Sequence, residues 1–302
     1  MPLSTNPPGR SQERPPEPPP EPPPITGPDG ITLRRLESIE EYEDAVALQD
    51  QIWGPGFTDR VPSAILRVAQ KVGGVSAGAF EESGRLLGFV FGLTGVRDGR
   101  LVHWSDMLAV REDARGRHLG DRLKYYQRDL VRAVGVETML WTFDPLVARN
   151  AHFNLNRLGA GVAEYVPNLY GTNTGSALHG GLPTDRFIAE WDLTVPRHAP
   201  SHGGVARAAN ATSDAPIVNV SSGEHVGLTD ALPDAPRVRI QIPHDIELVH
   251  ALGADMALAW RLATRDAFLH YLGRGYRVAR FDRGDGTALP AYELEHTPTI
   301  DG

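Results

Sequence analysis

The spacing of apolar positions along this chain switches repeatedly between periods near two and near 3.6, and each switch marks an element. Ile31-Thr32-Leu33-Arg34-Arg35-Leu36 reads as a strand. Ser38 with Glu41 three residues on forms a capping box, which starts a helix carrying Tyr42, Val46 and Ile52-Trp53 and stopping at Gly54-Pro55. A short helix is expected over Pro62–Lys71. Strands are expected at Val75–Phe80 and Leu86–Thr94, joined by the turn 81–85. Next come a strand at Leu101–Val110, a helix at Gly116–Val134 and a strand at Val136–Phe143. A helix at Ala148–Leu158 follows, with strands near Val162–Val166 and Arg186–Leu193. Later in the chain the pattern gives a strand (Val238–Ile242), a long helix (Ile246–Leu272) and two strands (Tyr276–Phe281, Ala291–Glu295). In that helix Leu248, Leu252, Met256, Trp260 and Ala263 form an apolar stripe, which reads as core. An antiparallel meander followed by strand–helix–strand predicts an α+β fold with a mixed sheet.

Composition divides the chain further. Residues 1–30 hold 12 of the 25 prolines and almost nothing apolar, which predicts a disordered, partly polyproline-II tail. Residues 31–196 carry the first run of elements, 197–236 read as an aperiodic linker, and 237–296 as a C-terminal extension. With 302 residues and 41% hydrophobic content the chain can bury a core of normal size. No apolar run is long enough to span a bilayer, and no secretory pattern opens the sequence, so neither membrane insertion nor export is expected. Zero cysteines exclude disulfides, thiolate metal sites and cysteine nucleophiles, and fit a cytoplasmic protein. The net charge of -8 argues against broad nucleic-acid binding. Lys71 and Lys124 are the only lysines, a bias that reads first as genomic composition.

The chemistry concentrates at the end of the strand Leu101–Val110. There the chain runs through Arg111, Arg115, Gly116, Arg117, His118, Leu119 and Gly120 into an amphipathic helix. Orphan amides at a helix start, with flanking arginines, suit a pyrophosphate. The turn is not a Walker loop, because no Gly-Lys-Ser/Thr follows, nor a Rossmann fingerprint, because its glycine spacing differs.

Arg115-Gly116-Arg117-His118-Leu119-Gly120 resembles the pyrophosphate loop of the GNAT superfamily of acyl-CoA N-acyltransferases, with His118 where that family usually has its first glycine. Trp141-Thr142-Phe143-Asp144-Pro145-Leu146, Arg149-Asn150-Ala151 and Phe153 through Gly159 are similar to a subgroup of GNAT sequences, as is Gly181-Leu182-Pro183-Thr184-Asp185-Arg186-Phe187. The resemblance covers roughly residues 31–195. It implies a mixed, mostly antiparallel GNAT-like sheet flanked by helices, with the extension as a strand–helix–strand–strand addition. It further implies a cleft between the strands Leu101–Val110 and Val136–Phe143. Amides of Leu108 and Val110 would hold the pantetheine arm or thioester, amides of Arg115 through Gly120 the pyrophosphate, and Asn150 would lie beside the arm. Acetyl-CoA is then the acyl donor, with no metal, and the acceptor is a small-molecule or peptide amine. The alternative is a non-catalytic acyl-CoA-binding regulator on the same fold.

One departure stands out. The family's usual acid is a tyrosine four residues before the glycine ending the later helix, and counting back from Gly159 gives Leu155, which cannot donate a proton. Tyr165 and Tyr170 are the candidates to replace it. Tyr170 is the better placed, between Pro167 and Gly171 where the chain leaves the sheet. Candidate bases are His103, Asp106 and Asp144, with Asp106 and Asp144 equal; Asp144 could also cap the following helix. His103 and Asp106, three apart on one strand, should face opposite sides. His244 and His250 lack metal-ligand spacing, and Ser105 and Ser176 lack a nucleophile elbow. The extension repeats the order seen from Val136 to Leu193 and reads either as a degenerate half-domain or as a covering addition.

Overall fold

Strand register and helix capping together explain how the cleft forms. The computed structural model describes residues 22–171, 181–196, 213–222 and 225–297. The first half contains β1 (Ile25–Thr26), β2 (Thr32–Arg35), α1 (Ile39–Trp53), α2 (Ser63–Lys71), β3 (Val75–Phe80), β4 (Leu86–Arg97) and β5 (Arg100–Val110). After these come α3 (Leu119–Arg132), β6 (Thr138–Phe143), α4 (Ala148–Ala151), β7 (Gly161–Val166) and β8 (Arg186–Asp192). The Ser38 hydroxyl accepts the Glu41 N–H while the Glu41 carboxylate accepts the Ser38 N–H, so the capping box is complete.

The eight strands form one sheet in the order β1-β2-β3-β4-β5-β6-β8-β7. Every neighbouring pair is antiparallel except β5 and β6. This is an α+β fold with a mixed, mostly antiparallel sheet flanked by helices. On one face α1 and α2 bury Tyr42, Leu48 and Leu66 against Phe89, Phe91 and Met107. On the other, α3 buries Leu119, Leu123 and Leu130 in a core shared with Met139, Trp141 and Phe143. Consecutive strand residues serve opposite faces, which is why both sides of this sheet are apolar.

The helix expected over 148–158 changes character partway. After α4 the segment His152–Arg157 is a π-helix, with the Leu158 N–H bonded to the Phe153 carbonyl. The wider turn disrupts α-helical counting. It buries Asn154 and leaves Leu155 packed at the margin of the main core.

The second half contains β9 (Asn219–Ser222), β10 (His225–Leu228), β11 (Arg237–Gln241), α5 (Ile246–Leu252), α6 (Ala254–Leu272), β12 (Tyr276–Asp282) and β13 (Ala291–His296). Three expectations need correction here. The long helix is two, because Gly253 is extended (φ 176, ψ 122) and resets the phase. Trp260 and Ala263 are buried, but Leu248 is 61% and Leu252 84% exposed, so the predicted stripe is not one face. Part of the linker has regular structure: β9 and β10 pair antiparallel, and Val218 and Val226 join the core. Finally, the last residues assigned to the tail belong to the fold. Ile25 and Thr26 pair with Leu33 and Thr32, and the Asp29 carboxylate accepts from Arg122 at 2.8 Å. Residues 1–21 and 197–212, the rest of the predicted tail and the first part of the linker, lie outside the described residues.

Candidate active site

The cleft originates in a failure of pairing. Parallel β5 and β6 are matched only at Val102↔Thr138, His103↔Met139 and Trp104↔Leu140. Both strands run on, β5 to Val110 and β6 to Phe143, without pairing again. Beyond Trp104 and Leu140 the backbone groups on the edges turned away from β4 and β8 lack a strand partner among the described residues, and an extended ligand strand can use them. A bulge helps to part them. Phe91 pairs with Met107 and Gly92 with Ser105, so Asp106 is the extra residue. The alternation of side chains switches there: His103 and Ser105 point towards α3, whereas Met107 and Ala109 belong to the core under α1 and α2.

The splay opens towards the ends of β5 and β6, where the predicted anion loop lies. A short 3-10 turn (Glu112–Ala114) leads to Gly116, at φ +81, and His118, at φ +56, the residue before α3. Gly116 needs the left-handed conformation that glycine adopts without strain; His118 adopts it despite its Cβ. The first helical bond of this end is Arg122 N–H to His118 C=O, so the amides before it point out of the helix start. A Cβ built on Gly120 would meet only Leu108 Cδ2, at 3.9 Å. Among the described residues Arg115 and Arg117 hold only long ion pairs, 3.9 Å to Glu112 and 3.7 Å to Asp29. Asp121 in the first turn is neutralised by Arg157 at 2.6 Å, and Arg157 also donates to His118 Nδ1. Leu108 and Val110 stand on the free part of β5, and Asn150 on α4 beyond β6.

Two polar clusters flank the splay on opposite faces. On the α1–α2 side, the Thr142 hydroxyl of β6 lies 3.0 Å from the Tyr170 hydroxyl, and the Arg186 guanidinium stacks 5.5 Å from the Tyr170 ring centroid. Asp106 and Asp59 complete this cluster. Although Asp106 reaches solvent, crowding by the protein raises its carboxyl above the usual range and Asp59 adds to the rise, against a hydrogen bond from Trp104. Tyr170 is likewise raised, chiefly by burial and further by Asp106.

On the α3 side a chain of hydrogen bonds runs under the sheet. The Thr94 hydroxyl donates to the Gly73 carbonyl at 2.7 Å, so its oxygen accepts His103 Nδ1–H at 2.9 Å. His103 Nε2 then accepts from Gln127 Nε2 (2.9 Å), Gln127 Oε1 accepts from the Ser105 hydroxyl (2.8 Å), and the Ser105 oxygen accepts from Lys124 Nζ (2.7 Å). Lys124 Nζ also lies 4.0 Å over the Trp141 ring, whose Nε1–H donates to Asn154 Oδ1 at 3.0 Å. Gly92 makes room for this chain: a Cβ there would fall 2.3 Å from His103 Nε2 and 2.5 Å from the Trp104 carbonyl oxygen.

This geometry sorts the candidates. His103 and Asp106 do lie on opposite faces, but His103 is fully buried, bonded at both ring nitrogens and driven down to about 3 by burial and by Lys124. It is a structural link, not a base. Asp144 caps the turn through the Leu146 N–H and is held by both Arg261 nitrogens, at 2.9 and 2.5 Å, with Arg186 at 3.5 Å. Burial would raise its carboxyl, but Arg261 and Arg186 outweigh it and hold it low. A carboxylate so committed anchors the extension and makes a poor base. Tyr165 is buried and donates to Asp185 at 2.6 Å among aromatic rings, so it too is structural. Asp106 and Tyr170 are brought together, on the face opposite Lys124. Sequence reasoning missed Lys124 and Gln127, although polar residues on the apolar face of α3 were a readable sign. Arg261, and Arg265, which holds Asp185 at 2.6 Å, carried no local sign at all. Among the described residues no three His, Asp or Glu side chains group as metal ligands, and no helix is long and apolar enough to cross a membrane.

No family model and no curated protein matches this chain. Solved structures do resemble it in part. Ard1 from Thermoplasma volcanium shares 15% identity at a TM-score of 0.42, over 54% of this chain and 97% of that one. The ribosomal-protein-S18-alanine N-acetyltransferase from Escherichia coli shares 17% at 0.42, over 56% and 97%. Naa50 of Arabidopsis thaliana, in complex with a CoA bisubstrate analogue, shares 13% at 0.42, over 53% and 97%.

Proposed function

We propose that this protein is an acyl-CoA-dependent N-acyltransferase that carries acetyl from acetyl-CoA to an amine acceptor within a ternary complex. The observation that carries the reading is the unpaired stretch of β5 and β6 opening onto the loop at the start of α3. In this reading the amides of Arg115 through Gly120 take the pyrophosphate, those of Leu108 and Val110 take the pantetheine arm, and Asn150 lies beside it. The amine enters from the α1–α2 side. Asp106 accepts its proton, and its raised carboxyl suits a base better than an ordinary aspartate would. Tyr170, on the same face, orients the amine or relays that proton through Thr142. We assign Tyr170 to the acceptor's proton and not to the departing thiol, because Thr142 and Trp141 face opposite sides of β6. A cytoplasmic setting is part of the proposal, in keeping with the absence of cysteine.

The test is Gly120→Glu. The space around Gly120 lets the fold survive this change, while the new carboxylate would occupy the phosphate position. Calorimetry should show CoA affinity collapsing with melting temperature little altered. Unchanged affinity would refute the cofactor assignment. Turnover is read as thiol released from acetyl-CoA across peptide, polyamine and amino-sugar acceptors, with no background because the chain has no cysteine. Binding without any release would support the regulator alternative.

A further inference from the structure

Lys124 is the group that no role described so far employs. It is one of two lysines in a chain whose other cationic side chains are all arginine, and it is 2% exposed. Among the described residues no carboxylate lies within ion-pair distance of it. Its contacts are the Ser105 hydroxyl and the Trp141 ring, the first residues of β5 and β6 beyond the last parallel pair. Lys124 thus bridges the two strands at the apex of the splay.

The apex is where an acyl group would lie. If the pyrophosphate sits at the loop after β5, the pantetheine arm runs from the open end of the splay inwards, and the thioester reaches furthest. We propose that Lys124 is a catalytic residue, the proton donor to the departing CoA thiolate, filling the role that Leu155 cannot. This rests on the acyltransferase reading above. The step balances simply. The C–S bond of the tetrahedral intermediate breaks, its electron pair goes to sulfur, and sulfur takes a proton from the Lys124 ammonium, leaving a neutral amine that solvent reprotonates.

The hydrogen-bond chain suits this cycle. The Ser105 proton is committed to Gln127, so Ser105 offers Lys124 only a lone pair. Nζ can satisfy that bond as ammonium or as amine, because each keeps N–H groups. The groups facing Nζ are Ser105 and, beyond it, neutral His103 from β5, with Arg35 behind; Trp141 from β6; and Gln127 from its own helix. None supplies negative charge, and burial brings the amine down to about 7. A CoA thiol titrates near ~8.5, so proton transfer to the thiolate runs downhill. Arginine could not do this, since it does not give up its proton in a protein.

The experiment uses full-length protein grown with ¹³C-lysine, where the two lysines give two resolvable ε signals. Calorimetry first establishes CoA binding; its absence would refute the acyltransferase reading itself. With CoA bound, the ε signal of Lys124 and its titration midpoint should move while those of Lys71 stay. An unmoved Lys124 signal in the CoA complex overturns the proposal and leaves the acyltransferase reading intact. Enzyme-dependent thiol release from acetyl-CoA with hydroxylamine, which enters neutral near pH 7, should fall ~10²- to 10⁴-fold in Lys124→Met. It should fall as far in Lys124→Arg, with CoA affinity retained. Full activity in the arginine variant would show that charge alone suffices, and would overturn the proton-donor role.

Discussion

Asp106 owes its position to a single unpaired backbone residue. The bulge lifts it out of the β4–β5 ladder and turns it to the face where Tyr170 and Thr142 meet. Asp106→Asn should lower kcat by ~10² to 10⁴ while leaving CoA affinity alone, as loss of a general base does. Its pH dependence has a definite sign. The carboxylate must be ionised to act, and its value lies above the usual aspartate range, so activity should fall on acidification at a higher pH than an ordinary aspartate (~3.9) would give. A kcat profile flat down to that range would remove Asp106 from the mechanism. Tyr170→Phe should lower kcat without altering CoA binding, since its hydroxyl meets Thr142 and not the loop. Residue identities at these positions were legible in the sequence. Their facing was not, because one inserted residue inverts the alternation along the rest of β5.

At the scale of elements, two contacts hold the cleft's frame. The first is the close approach of β4 to the network under the sheet. Gly92→Ala would push a methyl group against His103 and the Trp104 carbonyl, and the strand cannot yield without breaking the ladder. Overpacking of this kind costs ~1–3 kcal/mol, which a lowered melting temperature should report. The second is the Asp144–Arg261 pair joining the turn after β6 to α6. Removing one partner of a buried pair typically costs ~3–5 kcal/mol. Arg261→Met should therefore destabilise strongly, and adding Asp144→Asn should restore part of the loss. The folded value of Asp144 is lowered, so its contribution is present above the ordinary carboxylate value and disappears as pH falls through the lowered one. Wild type should lose this increment in acid, and Arg261→Met should have little of it left to lose. Equal acid sensitivity of the two would argue that the pair contributes nothing.

Of the two cores, the one under α3 is shared by both halves of the molecule. Phe187 of β8 packs against Phe268 of α6 and Tyr292 of β13, and the Tyr292 hydroxyl donates to the Pro145 carbonyl just after β6. A chain ending at residue 196 would take Arg261 from Asp144 and Arg265 from Asp185 and expose these rings. It should lose its cooperative calorimetric transition; a sharp transition at the full-length temperature would show that the first half folds alone. The extension also has the topology of the segment it covers. Strands β11, β12 and β13 lie in the order β11-β13-β12 just as β6, β7 and β8 lie in the order β6-β8-β7, and Ile217 bridges Arg239 in parallel as β5 pairs with β6. The element order, the capped α1 and the loop into α3 could be read from the chain alone, because periodicity, caps and turn residues act over a few neighbours. Only tertiary structure decided which polar groups work together. Lys124 meets Ser105 across 19 positions and Arg261 meets Asp144 across 117, and such partners are selected by burial, not by local spacing. The same holds for the break at Gly253 and the π-helix over His152–Arg157, where packing overrode a pattern that read locally as continuous helix.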